Sequence, residues 1–379
     1  MNCQLIHSCV LLLIFLCAQN RAAAEPVITP DQESFPSALV KQLNYEVERI
    51  LKANNLPSVV VSIVVPKLGE YTVARGQANI VQGTARQLDQ SFRIASITKT
   101  FTATAVLQLV DQQKIATSDV IVKWFPKFPN ADKITVDDLL RMRSGIADFA
   151  NDTFLADYYH DPLMKLTAAE IIQISADKAK DFTPPNQQTK YCNTNYVLLE
   201  EIVRQVADQQ LGEKITHDVL RPLRMNASLY PTDTQIPGML RGYGWNTQSK
   251  VFDDRTVLNP DLAGGAGAMI SSVRDLQTYV RALYRGELLN PATQRARLKM
   301  NSMQGQPDFI QYGAGIARFG PFYGHDGTIM GFSSEMWYLP EHDATVIISV
   351  NRLDADDQSQ STELFLKLTR LVFPEQVPW

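Results

Sequence analysis

Strand-forming sequence lies at both ends of this chain and helix-forming sequence lies between them, which limits the folds available. Ser58–Val65 is an unbroken β-branched and apolar run, and Glu70–Ile80 follows after Lys67-Leu68-Gly69, the pattern of a hairpin. Ahead of them, Ser37–Asn54 carries Leu39, Leu43, Val47, Ile50 and Leu51 at helical spacing, with Pro36 at its start. Near the other end, Gln311–Phe319, Gly331–Leu339 and Ala344–Val350 read as strands, and Thr362–Val372 closes as a helix. Helical stripes occupy Ile94 to Leu289, separated by Pro-, Gly- and Asn-rich joints. These spacings predict an α/β fold: an antiparallel β-sheet flanked by helices, built from both chain ends, with a mainly helical inserted subdomain. The sheet subdomain is expected over 25–93 and 310–379, and the helical one over 94–309. A cleft between two such lobes is the usual place for a site.

Residues 1–24 predict a secretion signal. Cys9–Ala18 is apolar but too short to span a bilayer, and Ala22-Ala23-Ala24 precedes Glu25 as a small-residue cleavage site. The expectation is a secreted or periplasmic protein with no integral membrane segment after signal removal. Cys3, Cys9 and Cys17 fall inside that segment, so Cys192 has no internal disulfide partner and the fold must rest on its core. A net charge of −4 without a basic run argues against a nucleic-acid partner. Nothing in the sequence specifies an oligomeric state.

Three short segments carry chemistry. Ser96-Ile97-Thr98-Lys99 opens an apolar helix, so serine and lysine share one face. A neutral lysine there could take the serine's proton, and the helix N-terminus favours developing negative charge. Lys190-Tyr191-Cys192-Asn193-Thr194-Asn195-Tyr196 stands just before another helix. Tyr191 could shuttle protons near neutral pH if the charge of Lys99 lowered its pKa. Asn193 could hold Lys99 and bond a substrate amide. Taken alone, the segment reads first as a helix entry, with Asn193 a cap and Tyr191 a core residue.

The third segment, Gly324-His325-Asp326-Gly327-Thr328, sits at the edge of a predicted strand. Gly327 would let a substrate lie against the backbone. The N–H of Thr328 could join that of Ser96 as an oxyanion hole. The alternative is a turn with a solvated histidine. Ala263-Gly264-Gly265-Ala266-Gly267 lacks the strand and Lys-Ser/Thr ending of a phosphate loop and reads as a close backbone turn. No Gly-x-Ser-x-Gly elbow, His-Glu-x-x-His or paired cysteine ligands occur, which argues against an α/β-hydrolase or a zinc site.

Together, Ser96–Lys99, Tyr191–Asn193 and His325–Gly327 resemble the serine β-lactamase and penicillin-binding DD-peptidase superfamily, specifically its class C-like branch. The resemblance runs from about Ser58 to Val350. It implies a cofactor-free serine hydrolase acting on a small-molecule or peptide acyl substrate. Ser96 would be the acylated nucleophile, and Lys99 its base or the charge that tunes Tyr191. Tyr191 would be the acid/base for the leaving group. Asn193, His325, Gly327 and Thr328 would bind substrate, His325 as a cation or donor. A DD-peptidase-like amide hydrolase, of carboxypeptidase or D-aminopeptidase type, is the first expectation. A carboxylesterase is the alternative, with a β-lactamase or a non-catalytic penicillin-binding sensor behind it.

Three departures accompany the resemblance. Cys192 stands where many relatives carry serine or alanine and is expected to be packed. Asp326 stands where β-lactam-handling relatives often carry threonine or serine, and a carboxylate there would repel a substrate carboxylate. Arg141-Met142-Arg143-Ser144-Gly145 replaces the usual His-Thr-Ser-Gly, with Arg143 a candidate anion contact.

Overall fold

The computed structural model describes residues 35–354 and 359–377. The expected signal, 1–24, lies outside the described residues. Among them, no helix is long and apolar enough to cross a membrane.

The chain opens with α1 (Ser37–Ala53), the hairpin β1 (Ser58–Val65) and β2 (Gly69–Asn79), then β3 (Thr84–Ala85) and β4 (Phe92–Arg93). A 3-10 turn over Ala95–Ile97 leads into α2 (Thr98–Asp111). The middle continues through α3 (Val136–Leu140), α4 (Asp152–His160), α5 (Ala168–Ala176), α6 (Thr194–Ala207) and α7 (Leu211–Ile215). The short strands β5 (Tyr243–Asn246), β6 (Val251–Asp254) and β7 (Ile270–Ser271) precede α8 (Val273–Arg285) and α9 (Pro291–Arg297). The closing segment holds β8 (Asn301–Ser302), β9 (Ile310–Tyr312), β10 (Ala317–Phe319), β11 (Phe322–Ile329), β12 (Phe332–Leu339), β13 (Ala344–Val350) and α10 (Gln360–Val372).

Nine of these strands form one antiparallel sheet in the order β3-β2-β1-β13-β12-β11-β10-β9-β8. The N-terminal hairpin and the C-terminal strands meet at β1, which pairs with β2 on one side and β13 on the other. Helices cover both faces, which is why β1 and β13 read as continuous apolar runs rather than alternating ones. Register separates the faces. Ser62, Ile347, Met336 and His325 lie in one cross-strand row, and Gln277 of α8 bonds Ser62 from that side. Glu335 and Asp326 form the neighbouring row on the opposite face, where Thr362 of α10 bonds Glu335 at 2.7 Å. Successive side chains on a strand alternate in this way.

Helix α2 is buried on all sides along its first turns, from Thr98 to Leu107. Its threonines are tolerated there because their hydroxyls find carbonyls. Thr100 bonds Ile97 O at 2.7 Å, Thr104 bonds Thr100 O at 2.7 Å, and Thr102 bonds Gly265 O at 2.7 Å. One expected strand is broken. Gln311–Phe319 folds as β9 and β10 around a tight turn in which Gly313 N bonds Ile316 O at 2.8 Å. Gly315 sits there at φ +69°, and a Cβ on it would lie 2.0 Å from Ala103 Cβ of α2. The turn lets this end of the sheet close on the helix that carries the nucleophile.

Candidate active site

Ser96 is presented by the 3-10 turn ahead of α2. The preceding residue, Ala95, has φ +48°, an uncommon conformation for a residue with a side chain. Ala95 and Ile97 are buried while Ser96 is partly exposed, so the turn delivers one hydroxyl to the cleft.

Lys99 lies one helical turn on and is fully buried. Its Nζ stands 2.9 Å from Ser96 Oγ, 2.8 Å from Asn193 Oδ1 and 2.8 Å from Ala266 O. Burial pushes its pKa down to about 7, against the opposing pull of Asp148 and Asp326. At neutral pH a large share is therefore free amine. A neutral amine has two N–H donors and one lone pair, and the Ala266 carbonyl and Asn193 Oδ1 can only accept. They take the two donors, which leaves the lone pair for the Ser96 hydroxyl.

Tyr191 is hydrogen-bonded to Ser96, and Lys99 Nζ lies 4.8 Å from its ring centroid. Burial raises the phenol well above its ordinary value, and the Ser96 bond only partly offsets this. This ordering is opposite to a Tyr191 made acidic by Lys99. Lys99 is the group able to accept a proton, and Tyr191 remains protonated and able to donate one.

Asn193 begins α6 but its side chain makes no cap bond. It reaches back to Lys99, and its Nδ2 donates to Asp148 Oδ2 at 2.8 Å. Cys192 is buried, and burial lifts its thiol to about 12, so it is no rival nucleophile. Arg143 ties loops together through Asn186, Thr189 at 3.3 Å and Asn301 at 3.4 Å. Arg141 does the same through Asp137 at 2.8 Å and the Ala296 and Lys299 carbonyls, each at 2.7 Å. Ser144 Oγ donates to Asn195 Oδ1 at 2.6 Å.

His325 lies inside β11 rather than at a strand edge, and both of its ring nitrogens are held by protein. Nδ1 faces the Asp326 carbonyl at 2.6 Å, and Nε2 faces the Tyr312 hydroxyl at 3.1 Å. A carbonyl can only accept, so Nδ1 carries hydrogen. The imidazole is a fixed wall beside Tyr191, whose ring centroid is 6.1 Å away. The structure gives Gly327 a packing reason to be glycine. A Cβ there would stand 2.2 Å from Ile94 O and 3.2 Å from Ala95 Cβ, so its missing side chain lets β11 press against the Ser96 turn.

Two cavities, of about 350 and 380 Å³, meet at Ser96, Tyr191 and Thr328. The first is walled by Asp326, Glu335, Trp337, Phe319, Phe365 and Arg318, among others. The second is walled by Asn193, Phe149, Phe154, Tyr158, Leu262 and Met330, among others. In the first, burial works to raise the Asp326 pKa, but His325 and Lys99 outweigh it and the net direction is down. Glu335 is pushed up by burial and then by the Asp326 charge. It accepts from Trp337 Nε1 at 2.6 Å, Thr362 at 2.7 Å and Ser361 at 3.1 Å. The negative charge of the pair therefore sits on Asp326, whose side chain is 51% exposed.

Sequence reasoning missed Asp148, Ala266 and Tyr312. Ala266 acts through a carbonyl, which leaves no side-chain signature. The glycine-rich turn around it was the available signal. A Cβ on Gly265 would meet Tyr196 O at 2.9 Å, and close packing at this glycine accompanies the approach of the turn to Lys99.

The Beta-lactamase family model matches residues 43–369. Among curated relatives, the chain is 23% identical over 308 residues to penicillin-binding protein 4* of Bacillus subtilis (strain 168), covering 77% of this chain and 67% of that protein. It spans about two thirds of the length of the curated relatives it matches first. Among solved structures, a D-stereospecific amidohydrolase from Streptomyces sp. is 26% identical with TM-score 0.74, covering 88% of this chain and 98% of that one. A D-amino acid amidase from Ochrobactrum anthropi SV3 is 25% identical with TM-score 0.72, covering 86% and 99%.

Proposed function

This chain belongs to the Beta-lactamase family, and on that premise we propose that it is an exported serine amidase whose substrates carry a free amino group near the scissile bond. Serine hydrolase chemistry follows from the family and the Ser96–Lys99 pair. The amine preference is carried by one observation: the ionised, half-exposed Asp326 carboxylate in the cavity that adjoins Ser96. It would attract an ammonium group and repel a carboxylate. That favours an amino-acid amidase or aminopeptidase over a carboxypeptidase. The likeness to a D-stereospecific amidohydrolase supports a D-configured residue. Export rests on residues 1–24 of the sequence.

In this reading Ser96 Oγ attacks the amide carbonyl and its proton passes to the Lys99 lone pair. The N–H groups of Ser96 and Thr328 are the donors for the developing oxyanion. The proton taken by Lys99 reaches the leaving nitrogen through Tyr191, which hands on one proton as it receives another. Water then releases the acyl group from Ser96 by the reverse relay.

The test is kcat/KM on D-alanine and D-phenylalanine amides, their N-acetylated forms, D-Ala-D-Ala peptides and a matched ester, with Ser96→Ala alongside. Hydrolysis of the free-amine amides above the others supports the proposal. Preference for the ester far beyond its intrinsic reactivity, or for peptides ending in a free carboxylate, overturns it. Ser96→Ala is expected to lose about 10⁴-fold or more in kcat.

A further inference from the structure

Asp148 belongs to none of the three sequence segments, yet it stands directly behind the serine's base. It lies in the loop between α3 and α4 and is partly buried. Its Oδ2 accepts from Asn193 Nδ2 at 2.8 Å, and its Oδ1 accepts from Ala150 N at 3.3 Å. On its other side the same Asn193 carboxamide presents Oδ1 to Lys99 Nζ at 2.8 Å. A carboxamide has one oxygen end and one nitrogen end, and it can rotate to exchange them. An ionised carboxylate can only accept, so it demands the nitrogen end. The oxygen end is thereby committed to Lys99.

We propose that Asp148 is a positioning residue that locks the Asn193 carboxamide in one orientation and so aims the Lys99 lone pair at Ser96. The proposal rests on the reading of Ser96 and Lys99 as nucleophile and base, and it adds the group that sets the base's direction. With Asn193 Oδ1 and Ala266 O taking the two amine hydrogens, only Ser96 remains for the lone pair. If the carboxamide turned over, its N–H would claim that lone pair. Ser96 would then face an N–H donor, and its proton would have no acceptor. The groups facing Lys99 are Ser96, Asn193, Ala266 O, the Tyr191 and Tyr196 rings, Cys192, and the charges of Asp148 and Asp326. Among them Asp148 alone is bonded to the Asn193 nitrogen in this structure.

The experiment follows the rate at which a fluorophosphonate probe labels Ser96, as a function of pH, beside amide hydrolysis. In labelling, Ser96 Oγ displaces fluoride at phosphorus and gives its proton to Lys99. The readout thus needs no natural substrate. Asp148→Asn and Asp148→Ala are expected to lower the high-pH labelling plateau by about tenfold or more. Both remove a negative charge that favours protonated Lys99, so the acid limb should move to lower pH. The exchanged pair Asp148→Asn/Asn193→Asp is expected to recover much of the plateau. It again offers oxygen to Lys99 and nitrogen behind it, and its carboxylate beside Lys99 should move the acid limb to higher pH.

Unchanged plateau and limb in both single variants would overturn the proposal. So would a fallen plateau with an unmoved limb and no recovery in the exchanged pair, which marks a merely structural aspartate. Thermal unfolding of each variant identifies loss of fold. Wild-type protein that labels at Ser96 but hydrolyses no amide would remove the amidase reading and leave this one to be decided by the labelling. Wild-type protein that does not label at Ser96 overturns this proposal.

Discussion

Asp326 and Glu335 stand directly opposite each other across β11 and β12, on the face of the sheet turned away from His325. Their unequal surroundings split the roles of the two carboxyls. Asp326 opens to the cavity beside Ser96 and keeps its charge, while Glu335 is 1% exposed, bonded to three donors, and keeps its proton.

Asp326→Thr should therefore change substrate preference, over and above the shift in Lys99 ionisation that loss of its charge brings. Substrates with a free amine are expected to lose about tenfold or more in kcat/KM, and those with a free carboxylate to gain by a similar factor. Steady-state kinetics on the two matched series reads this directly. Equal kinetics on both would show that Asp326 plays no part in recognition.

Glu335→Gln should make stability less sensitive to alkali. The carboxyl of Glu335 has a higher pKa in the folded chain than in the unfolded one. The folded state then holds more protons from about pH 4.5 to about pH 8, and wild-type stability falls as pH rises through that window. Glutamine has no proton to lose there. The difference in Tm between variant and wild type should grow in favour of the variant across the same range.

The pH profile of kcat/KM should have an acid limb near 7, because only the free amine of Lys99 can accept the Ser96 proton. Activity is expected to rise with pH through that value. Asp326→Asn should shift the limb to lower pH, since it removes a charge that favours the ammonium form. A limb controlled by Tyr191 would instead lie well above neutrality.

Gly327→Ala should cost about 1–3 kcal/mol of stability, the usual penalty of forcing a methyl group into a packed contact. The obstacle is the Ile94 carbonyl, part of the backbone that leads into the nucleophile turn. Urea denaturation gives the stability loss. The same variant should lose Ser96 reactivity, because relieving the contact separates β11 from that turn.

The elements most legible in the sequence were those whose burial is written in side chains. The β-branched run of β1, the hairpin into β2, the last strand and the closing helix α10 have boundaries within a residue or two of those expected. Ser96 and Lys99 were visible because they are one helical turn apart. What stayed hidden depends on distant backbone. Ala266 contributes a carbonyl, Asp148 acts through another residue's amide, and the break between β9 and β10 answers to a close approach by α2. The direction of the Tyr191 shift was also hidden, since it depends on how deeply the phenol is enclosed and not on which cation is near it in sequence.

The place of β1 between β2 and β13 has a temporal consequence. Its two partners are made at different times: β2 directly after it, and β13 only after the long, mainly helical segment between them. Pairings between distant segments form late. Until β13 docks, β11 and β12 cannot join the sheet begun by β1 and β2, and the wall formed by His325, Asp326 and Gly327 is not yet tied to it. The Ser96–Lys99 pair can exist on its helix throughout that interval, yet it faces an open side. The sheet thus works as a clasp, and the pocket takes its final shape when β13 joins β1.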